Sequence, residues 1–483
     1  MAGIISYGGH IPWHRMNRMV IYSAMGFLNP ATLTGGEKAI ANYDEDSVTM
    51  AVNAGMNCLN GIDRNTVDGV YFASVTMPFK ERQNAAIIAT ALDLRSDIQT
   101  ADFAGSTKSG TTALLAACDA VKAGSAKSIL VCASDCRLAL PGSLQEETFG
   151  DGAAAFLIGE NGVIADFRGA HSVSYDFRDT WRTDFEKFNR QWEDRWIRDE
   201  GYNKFIPEVV SGLAKKCNLS PKDVAKAAYP CLYTAAHPRL GKSLGLEPNQ
   251  IQENMFATVG NTGSAYPLIL LGAALEDANP RDNVVVASFG NGSDALLFQA
   301  TEKLADTKDG GKGVKKLLES KKMLDNYAKY LTFRNVMEVD KGMGRGESVP
   351  WEQISLSWRY RRTLLGLVGS RCKKCGTPQF PYQMVCVNPN CNAIEEMEPY
   401  RFSDKKGHLF TYTADNLAFT YNPPAIYGMV DFEGGGRSWF DFTDCDLDDV
   451  KVDMLVGMSF RRKFVDEKRG NYGYFWKAVP VRE

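Results

Sequence analysis

The stretch at 101–118, ADFAGSTKSGTTALLAAC, holds the residues of this sequence that are best suited to chemistry. Glycines and hydroxyls fill its first half and small apolar residues fill its second half, which predicts a tight turn entering a buried helix. The first turn of a helix presents unpaired N–H groups and the positive end of the helix dipole. Ser106 or Thr107 at such a point is an activated nucleophile, a ligand for an anion, or only the cap of the helix.

A second set of chemically competent residues is a group of closely spaced cysteines. One pair has the spacing C-x2-C and is followed by Gly, the arrangement of a zinc knuckle, and the other pair has the less common spacing C-x4-C. All four ligands are thiols, which leaves no position for a reactive water. The pattern therefore predicts a structural zinc site rather than a catalytic one, held by Cys372, Cys375, Cys386 and Cys391.

The overall composition excludes several classes of function. The chain has 483 residues, of which 44% are hydrophobic and 23% are charged, and its net charge is −3. These values are typical of a globular protein of several domains and give no basic excess for nucleic acid or an anionic membrane. No signal-like N-terminus or apolar run of about 20 residues is present. We expect a cytoplasmic protein whose eleven cysteines are reduced or bound to metal.

One order of elements, a helix, a strand, a glycine turn and another strand, occurs twice. After the helix in 101–118 come an apolar strand at 128–134 and FGDGAAAFLIG at 149–159. A helix within 261–275 is likewise followed by a strand at 283–288 and by FGNGSDALLF from residue 289. We predict a duplicated α/β unit whose two small-residue turns face each other across a pseudo-twofold axis. The periodicity also predicts strands at 4–11 and 70–74 and helices at 44–60 and 84–92.

The remaining segments suggest a long insertion and a separate C-terminal region. Residues 175–202 are rich in Trp, Arg, Asp and Glu, and they form either an insertion that covers a cleft or a surface helix. The polar segment 339–350 is the predicted domain boundary. Beyond the cysteines, Gly-rich turns separate short strands, which is typical of a small β-barrel. These strands are predicted at 407–413, 425–432, 437–442 and 458–465.

Together these motifs resemble the thiolase superfamily and, within it, hydroxymethylglutaryl-CoA synthases of the archaeal and bacterial type. The motifs are TKSGT at 107–111, ASDCRLALPGSLQEETFGDGAAAFLIG at 133–159, DTWR at 179–182, SPKDV at 220–224, GNTGSAYP at 260–267 and SFGNGSDALLF at 288–298. From about residue 350 the chain resembles the rubredoxin-like zinc ribbon plus OB-fold domain that usually accompanies such enzymes as a separate chain. The resemblance implies thiolase-like halves at 1–165 and 166–340, a zinc ribbon at 350–395 and an OB-fold at 396–483.

The resemblance also shows where this sequence departs from the family. The position of the acyl-accepting cysteine falls on Thr107, and the position of the general-base glutamate falls on Val75. An ungapped comparison puts a proline at the family's histidine position with Tyr233 just after it, whereas a short shift in the loop brings in His237. Asn261 matches the family's active-site asparagine.

A condensing enzyme needs a thiolate to hold the acyl group and a base to form the carbanion, and the resemblance places other residues at both family positions here. Backbone N–H groups at 105–108 and in the FGNG turn could still form an oxyanion hole for a thioester enolate. An aldol step on a β-hydroxyacyl-CoA needs that hole and no acyl-enzyme. The candidates for moving or orienting the proton are Tyr233, His237 and Asn261. The candidates for contact with coenzyme A are Gly105, Lys108, Gly290, Gly292 and Ser293.

The sequence therefore predicts an acyl-CoA enzyme that makes or breaks a C–C bond next to a thioester. It acts as a hydroxymethylglutaryl-CoA synthase-like acyltransferase or synthase, or as a cysteine-independent aldolase. The alternative is a non-catalytic scaffold that binds CoA esters and partners a separate thiolase. Acyl transfer through Ser106 or Thr107 would require a nearby base. We expect a homodimer or a larger assembly, with an acyl-CoA substrate and with neither nucleic acid nor membrane as partner.

Overall fold

The computed structural model describes residues 2–30, 33–310, 313–340 and 353–482, with only the backbone at 307–310. It divides into two compact units. The first comprises Met1–Ala41, Asn53–Ala86 and Arg95–Tyr330, and the second comprises Asn42–Val52, Ile87–Leu94 and Leu331–Glu483. The predicted boundary at 339–350 lies almost wholly outside the described residues. The second unit takes in two short segments from the N-terminal part of the chain, which the predicted domain limits did not anticipate.

Strands and helices alternate through residues 2–340. The strands are β1 (Gly3–His10), β2 (His14–Asn17), β3 (Glu37–Ile40), β4 (Gly69–Ala73), β5 (Gln99–Phe103), β6 (Ser128–Asp135), β7 (Gly152–Gly159), β8 (Ala165–Ser174), β9 (Val224–Ala228), β10 (Asn283–Ala287), β11 (Gly292–Ala300) and β12 (Lys322–Met323). The helices are α1 (Arg18–Met25), α2 (Ser47–Cys58), α3 (Asn84–Ala91), α4 (Ser109–Lys122), α5 (Leu144–Thr148), α6 (Asp194–Trp196), α7 (Asn203–Cys217), α8 (His237–Ser243), α9 (Tyr266–Asp277), α10 (Lys316–Glu319) and α11 (Tyr327–Phe333).

The main sheet of the first unit contains the predicted duplication. Its strand order is β5-β4-β6-β7-β1-β8-β11-β10-β9. On one side β4 and β6 run parallel and β7 is antiparallel to β6, and on the other side β9 and β10 run parallel and β11 is antiparallel to β10. The two halves meet where β1 and β8 pair. The pairs β6–β7 and β10–β11 therefore hold equivalent positions, and the duplicated α/β fold is confirmed.

Helices α4 and α9 lie in the core against this sheet. Their inward residues Leu114, Ala117, Leu268 and Leu271 are completely buried, and each helix begins after a small-residue turn as predicted. The two turns approach so closely that a Cβ atom on Gly110 would collide with the carbonyl oxygen of Ser264. Glycine at this position is therefore a requirement of packing.

A buried carboxylate beside these turns, that of Asp135, joins the two halves. Asp135, at the end of β6, accepts hydrogen bonds through Oδ1 from the Ser74 hydroxyl (2.9 Å), the Val75 amide (2.8 Å) and the Thr76 hydroxyl (2.9 Å). Its Oδ2 accepts from both the amide and the hydroxyl of Ser264, each at 2.7 Å. Asp135 has no exposed surface. Its charge is therefore compensated by donors from two separate segments, one in each half.

The second unit contains two small sheets and two short helices, α12 (Ile354–Arg359) and α13 (Arg361–Gly366). The strands β13 (Val368–Cys372), β14 (Pro378–Gln379) and β15 (Met397–Arg401) form one sheet. The other sheet contains β16 (Gly407–Asp415), β17 (Ala425–Phe432), β18 (Arg437–Asp441), β19 (Leu455–Asp466) and β20 (Asn471–Pro480) in the order β18-β17-β16-β19-β20. A bridge between Phe442 and Ala478 brings its ends together, as in a small barrel. The four predicted strands are confirmed, although β19 is longer than predicted and β20 was missed.

Within this unit the barrel encloses a group of buried charges. Arg461 pairs with Asp44 (3.3 Å), with Glu45 (2.8 Å) and with Asp444, and Lys477 pairs with Asp44 at 3.0 Å. The neighbouring carboxylates hold the pKa of Arg461 above its ordinary value, and the cations lower the pKa of Asp44. The segment Asn42–Val52 is therefore fixed to the barrel by ion pairs as well as by apolar contact.

We predict that Asp135→Asn lowers the free energy of unfolding by about 3 kcal/mol, because an amide turns an NH2 group toward donors that need an acceptor. Thermal unfolding followed by circular dichroism measures the change. The control is Asp119→Asn on the exposed face of α4, which should change stability by less than about 0.5 kcal/mol. Equal effects of the two substitutions would contradict the role given to Asp135.

Candidate active site and zinc centre

A cavity of about 220 Å³ lies within the first unit, where the turns of the two repeats meet. Thr107 lines it just before α4, and Asn261 and Gly263 line it just before α9. Phe149 and Phe289, the first residues of the two FG-x-G turns, complete this part of the wall. The duplication therefore builds the cavity from equivalent segments of both halves, as the predicted pseudo-twofold axis requires.

The hydroxyls of Ser106 and Thr107 are held by the opposite half. Thr107 Oγ1 donates to the carbonyl of Phe289 at 2.7 Å, and Ser106 Oγ donates to the carbonyl of Gly290 at 2.8 Å. A Cβ atom on Gly290 would collide with both hydroxyls. A hydroxyl that donates to a carbonyl has no base to remove its proton. The backbone N–H of Thr107 has no hydrogen-bond partner within the described part of the chain, and it can donate to a ligand.

Asn261 and Tyr233 both line the cavity, as the sequence predicted for residues of the site. Asn261 Oδ1 accepts from the amide of Gly263 at 3.1 Å, while its Nδ2 makes no hydrogen bond to any residue that the structure describes. The Tyr233 hydroxyl donates to the carbonyl of Asp194 at 3.3 Å. Asn261 thus presents a donor to the cavity, and Tyr233 presents its ring.

His237 does not line the cavity. Its ring centroid lies 4.4 Å from that of Tyr229, and its Nδ1 lies 3.3 Å from the Tyr202 hydroxyl in a buried cluster. Burial lowers the pKa of His237 to about 4, so the imidazole is neutral near pH 7. The structure instead brings to the cavity wall Pro230, which occupies the position where the family resemblance expects the histidine. The predicted catalytic role of His237 has no support from its position.

The residues predicted to contact coenzyme A surround the turns without lining the cavity in the described part of the chain. Lys108 Nζ pairs with Asp294 at 3.1 Å, and Ser293 donates to the carbonyl of Ser288. Gly105 is exposed, and Gly290 and Gly292 have positive φ angles that favour glycine. Their contact with coenzyme A stays a prediction.

Asp179 is a candidate functional residue that the sequence analysis did not single out. It lines the cavity with only 6% of its surface exposed, and burial raises its pKa from 3.8 to about 6. Arg137 also lines the cavity and opposes this shift. Its guanidinium lies 3.9 Å from the centroid of the Phe149 ring, and its Nη2 donates to the Asn261 carbonyl at 2.9 Å. A buried carboxylate that titrates near neutrality is a suitable acid or base.

The sequence did carry a signal for Asp179. It begins the DTWR motif at 179–182, inside the charged aromatic segment 175–202. Other residues of that segment, among them Thr180, Gln191 and Asp194, also line the cavity. The interpretation of 175–202 as a segment that covers a cleft is therefore supported, and it is not a single surface helix.

The cysteine cluster in the second unit has the geometry of a zinc site. The four Sγ atoms of Cys372, Cys375, Cys386 and Cys391 all lie within 4.8 Å of one another, with separations of 3.7 Å for Cys372–Cys391 and 3.5 Å for Cys375–Cys386. Tetrahedral thiolates at a Zn–S distance of about 2.3 Å stand about 3.8 Å apart, so the four thiols fit zinc. Four protein ligands complete the shell, and the bound metal would be structural.

Comparison with known proteins matches both parts of the chain. A family model for the rubredoxin-like zinc ribbon domain of ChsH2 matches residues 365–397, and one for its C-terminal OB-fold domain matches residues 400–461. The hydroxymethylglutaryl-CoA synthase of Methanopyrus kandleri is 30% identical over 328 residues, which are 66% of this chain and 93% of that enzyme. The chain belongs to the hydroxymethylglutaryl-CoA synthase family. The synthase of Methanocaldococcus jannaschii is 29% identical over 348 residues, 70% of this chain and all of that enzyme.

Solved structures agree with the synthase family in fold. A hydroxymethylglutaryl-CoA synthase complexed with CoA has a TM-score of 0.58 at 18% identity and covers 71% of this chain and 92% of its own. The synthase of the curacin pathway in complex with acetyl donor-ACP has a TM-score of 0.61 at 17% identity and covers 71% of this chain and 93% of its own. The predicted fold, zinc ribbon and OB-fold are thus confirmed.

Family membership makes the chain an acyl-CoA enzyme that makes or breaks a C–C bond next to a thioester. About two thirds of this chain align with almost the whole length of these synthases. The zinc ribbon and barrel are therefore additional to the matched part. Among the helices of the described residues, none combines the length and apolar character that a membrane span requires.

We predict that the purified protein carries one zinc ion per chain and that Cys386→Ser loses it, because a shell of three thiols binds zinc far more weakly. Metal content by inductively coupled plasma mass spectrometry measures the loss. The control is Cys217→Ser, a thiol outside the cluster, which should keep the zinc. Full zinc content in Cys386→Ser would exclude the cluster as the metal site.

We predict that Asp179 makes stability depend on pH. Its folded pKa of about 6 exceeds the unfolded value of 3.8, so its contribution is fully present below pH 3.8 and is lost as the pH rises through 6. Between pH 5 and pH 8 the wild-type protein should lose about 1.4 kcal/mol of stability relative to Asp179→Asn. Unfolding in urea at both pH values measures the difference. The control is Asp184→Asn at an exposed carboxylate whose pKa Lys80 lowers, and it should show no such loss.

Proposed function

We propose that this member of the synthase family makes or breaks the Cα–Cβ bond of a β-hydroxyacyl-CoA by an aldol reaction without an acyl-enzyme. The observation that carries the proposal is the environment of Thr107, at the position of the family's acyl-accepting cysteine. Its hydroxyl donates to the Phe289 carbonyl, and no thiol lines the described part of the cavity. A covalent acyl group therefore has no activated nucleophile to accept it.

The cleavage direction uses the groups at the cavity wall in one sequence. The Asp179 carboxylate accepts the proton of the β-hydroxyl, the carbonyl forms at Cβ, and the Cα–Cβ bond breaks. The electron pair passes to the thioester as an enolate, whose oxygen accepts a hydrogen bond from the Thr107 backbone N–H. A proton returned to Cα completes the acyl-CoA product and frees the aldehyde or ketone. Synthesis follows the same steps in reverse.

Two features support Asp179 as the base. A pKa of about 6 lets the carboxylate be ionised at neutral pH while it remains basic enough to accept a proton in the transition state. Asn261 lines the same cavity with its Nδ2 unpaired, so it can orient the β-oxygen. Burial raises the pKa of the Tyr233 phenol, Asp194 and to a smaller extent Asp179 add to the shift, and Tyr233 is therefore neutral.

We also propose that the substrate enters as a coenzyme A ester, as in the solved synthase complexed with CoA, and that the glycine turns and Lys108 contact it. A homodimer, with or without a separate thiolase, is the proposed assembly. The absence of any disulfide among the eleven cysteines supports a reducing compartment, and we place the protein in the cytoplasm.

We predict that the protein releases acetyl-CoA or a longer acyl-CoA, together with a carbonyl compound, from β-hydroxyacyl-CoA esters. Asp179→Asn should lower kcat at least 100-fold because it removes the base, whereas Thr107→Ala should stay within tenfold of the wild type because its N–H is retained. Chromatography of the CoA esters measures both rates. Intact-protein mass spectrometry after incubation should show no acyl adduct.

Two results would contradict this function. A stable acyl adduct on Thr107 or Ser106 would establish acyl-enzyme chemistry of the synthase kind. Binding of CoA esters with no release of a carbonyl product from any of them would establish the non-catalytic scaffold. The pH profile offers a further check, since kcat/KM should rise as the pH passes through about 6 and Asp179 loses its proton.

A further inference from the structure

Three hydroxyl groups of the cavity wall already donate to backbone carbonyls of the protein. Thr107 donates to the Phe289 carbonyl, Tyr266 donates to the Asn254 carbonyl at 2.6 Å, and Thr148 donates to the Leu144 carbonyl at 3.0 Å. The atoms of these three side chains that remain available for contact with a ligand are mostly carbon atoms. The acyl part of a substrate therefore meets an apolar surface with few hydrogen-bonding groups.

The charges of the wall disfavour an anion. Arg137 is the only cation among the described lining residues, and Asp179, Asp135 and Asp151 all act on its charge. Asp179 and Asp194 themselves line the cavity. A carboxylate on the substrate would lose its hydration and meet a wall with more acidic than basic groups.

One further cation lies behind the wall, and Phe256 separates it from the cavity. The guanidinium of Arg18 has no exposed surface and lies 4.5 Å from the centroid of the Phe256 ring. It donates to the carbonyls of Gly35 (3.0 Å) and Phe256, while its Nε has no partner among the described residues. Phe256 itself lines the cavity. The ring thus covers a buried positive charge that makes no ion pair with a described carboxylate, although the charge of Glu147 acts on it from nearby.

We propose that the site takes a β-hydroxyacyl-CoA whose β-substituent is compact, apolar and uncharged, and that Phe256 sets this preference by covering Arg18. The inference rests on the aldol reaction proposed above and names its substrate class. A cavity of about 150 Å³ is large enough for a benzene ring. At about 220 Å³ this cavity accepts one ring or a short branched chain, but not several fused rings.

The experiment measures binding of simple CoA thioesters that lack a β-hydroxyl, so that no aldol cleavage takes place. Isothermal titration calorimetry compares 3-phenylpropanoyl-CoA, glutaryl-CoA and palmitoyl-CoA. The wild-type protein should bind 3-phenylpropanoyl-CoA at least tenfold more tightly than the other two. In Phe256→Ala the uncovered guanidinium should improve the affinity for glutaryl-CoA at least tenfold.

Two matched variants distinguish the effect of uncovering the Arg18 charge from the effect of enlarging the cavity. Phe256→Leu keeps an apolar cover and should keep the preference against glutaryl-CoA. Leu232→Ala enlarges the same cavity without uncovering Arg18, so it should improve only the longer apolar ester. Phe256→Val serves as a milder truncation if Phe256→Ala does not fold, and the wild-type comparison needs no variant.

Equal affinity of the wild type for 3-phenylpropanoyl-CoA and glutaryl-CoA would overturn the substrate class. An equal gain for glutaryl-CoA in Phe256→Leu, Leu232→Ala and Phe256→Ala would overturn the role of Phe256. If the binding preference holds while no β-hydroxyacyl-CoA is cleaved, the aldol reaction is wrong and the specificity of the cavity stands.

Discussion

Two buried carboxylates, Asp135 and Asp294, hold the active site together, because each belongs to one repeat and accepts hydrogen bonds from the other. Asp135 in the first repeat binds the amide and hydroxyl of Ser264 in the second. Asp294 in the second repeat binds Lys108 and Thr112 at the start of α4 in the first. Satisfied buried carboxylates fix geometry more strictly than apolar contacts do, since a displaced donor leaves a charge unpaired. These bonds fix the two turns against each other, and the turns carry Thr107, Asn261 and Gly263 of the cavity wall.

The same close contact determines which chemistry is possible. Bringing the two turns together places Thr107 against the Phe289 carbonyl, which holds its hydroxyl and leaves its N–H without a partner. In the proposed aldol reaction the turn would thus supply the backbone group that stabilises an enolate, without the side chain that would hold an acyl group. At Asp179 burial destabilises the ionised form and raises the pKa of the carboxyl to about 6, which suits the base of the proposed reaction. A shift that costs the fold stability would thus give the proposed site its base, and perturbed pKa values of this kind are common at active sites.

Features encoded by local spacing could be predicted from the sequence, and features created by long-range packing could not. The four zinc cysteines lie within 20 residues of one another, and the glycines of the repeated turns indicate a turn by themselves. Both features could therefore be predicted from local residue spacing. The positions of His237 and Asp179 could not be predicted for one physical reason, since long-range packing decides where each side chain is buried. His237 packs on Tyr229 away from the cavity, whereas Asp179 faces the cavity from an insertion without clear periodicity. Strand β20 was missed because its pattern includes Lys477, a charge that is buried only because Asp44 pairs with it.

The ion pairs around Arg461 indicate that the C-terminal region folds together with a piece of the N-terminal sequence. Arg461 is almost completely buried, and two of its three carboxylate partners, Asp44 and Glu45, come from the segment Asn42–Val52. A buried guanidinium that loses its partners is strongly destabilising, so a barrel separated from this segment would need other anions or would have to leave Arg461 in water. Helix α2 begins in that segment and ends in the first unit, which makes the connection covalent as well as electrostatic. The folding unit that contains the zinc ribbon and barrel therefore includes the N-terminal segment Asn42–Val52, and its limits cannot be read from the chain near residue 340 alone.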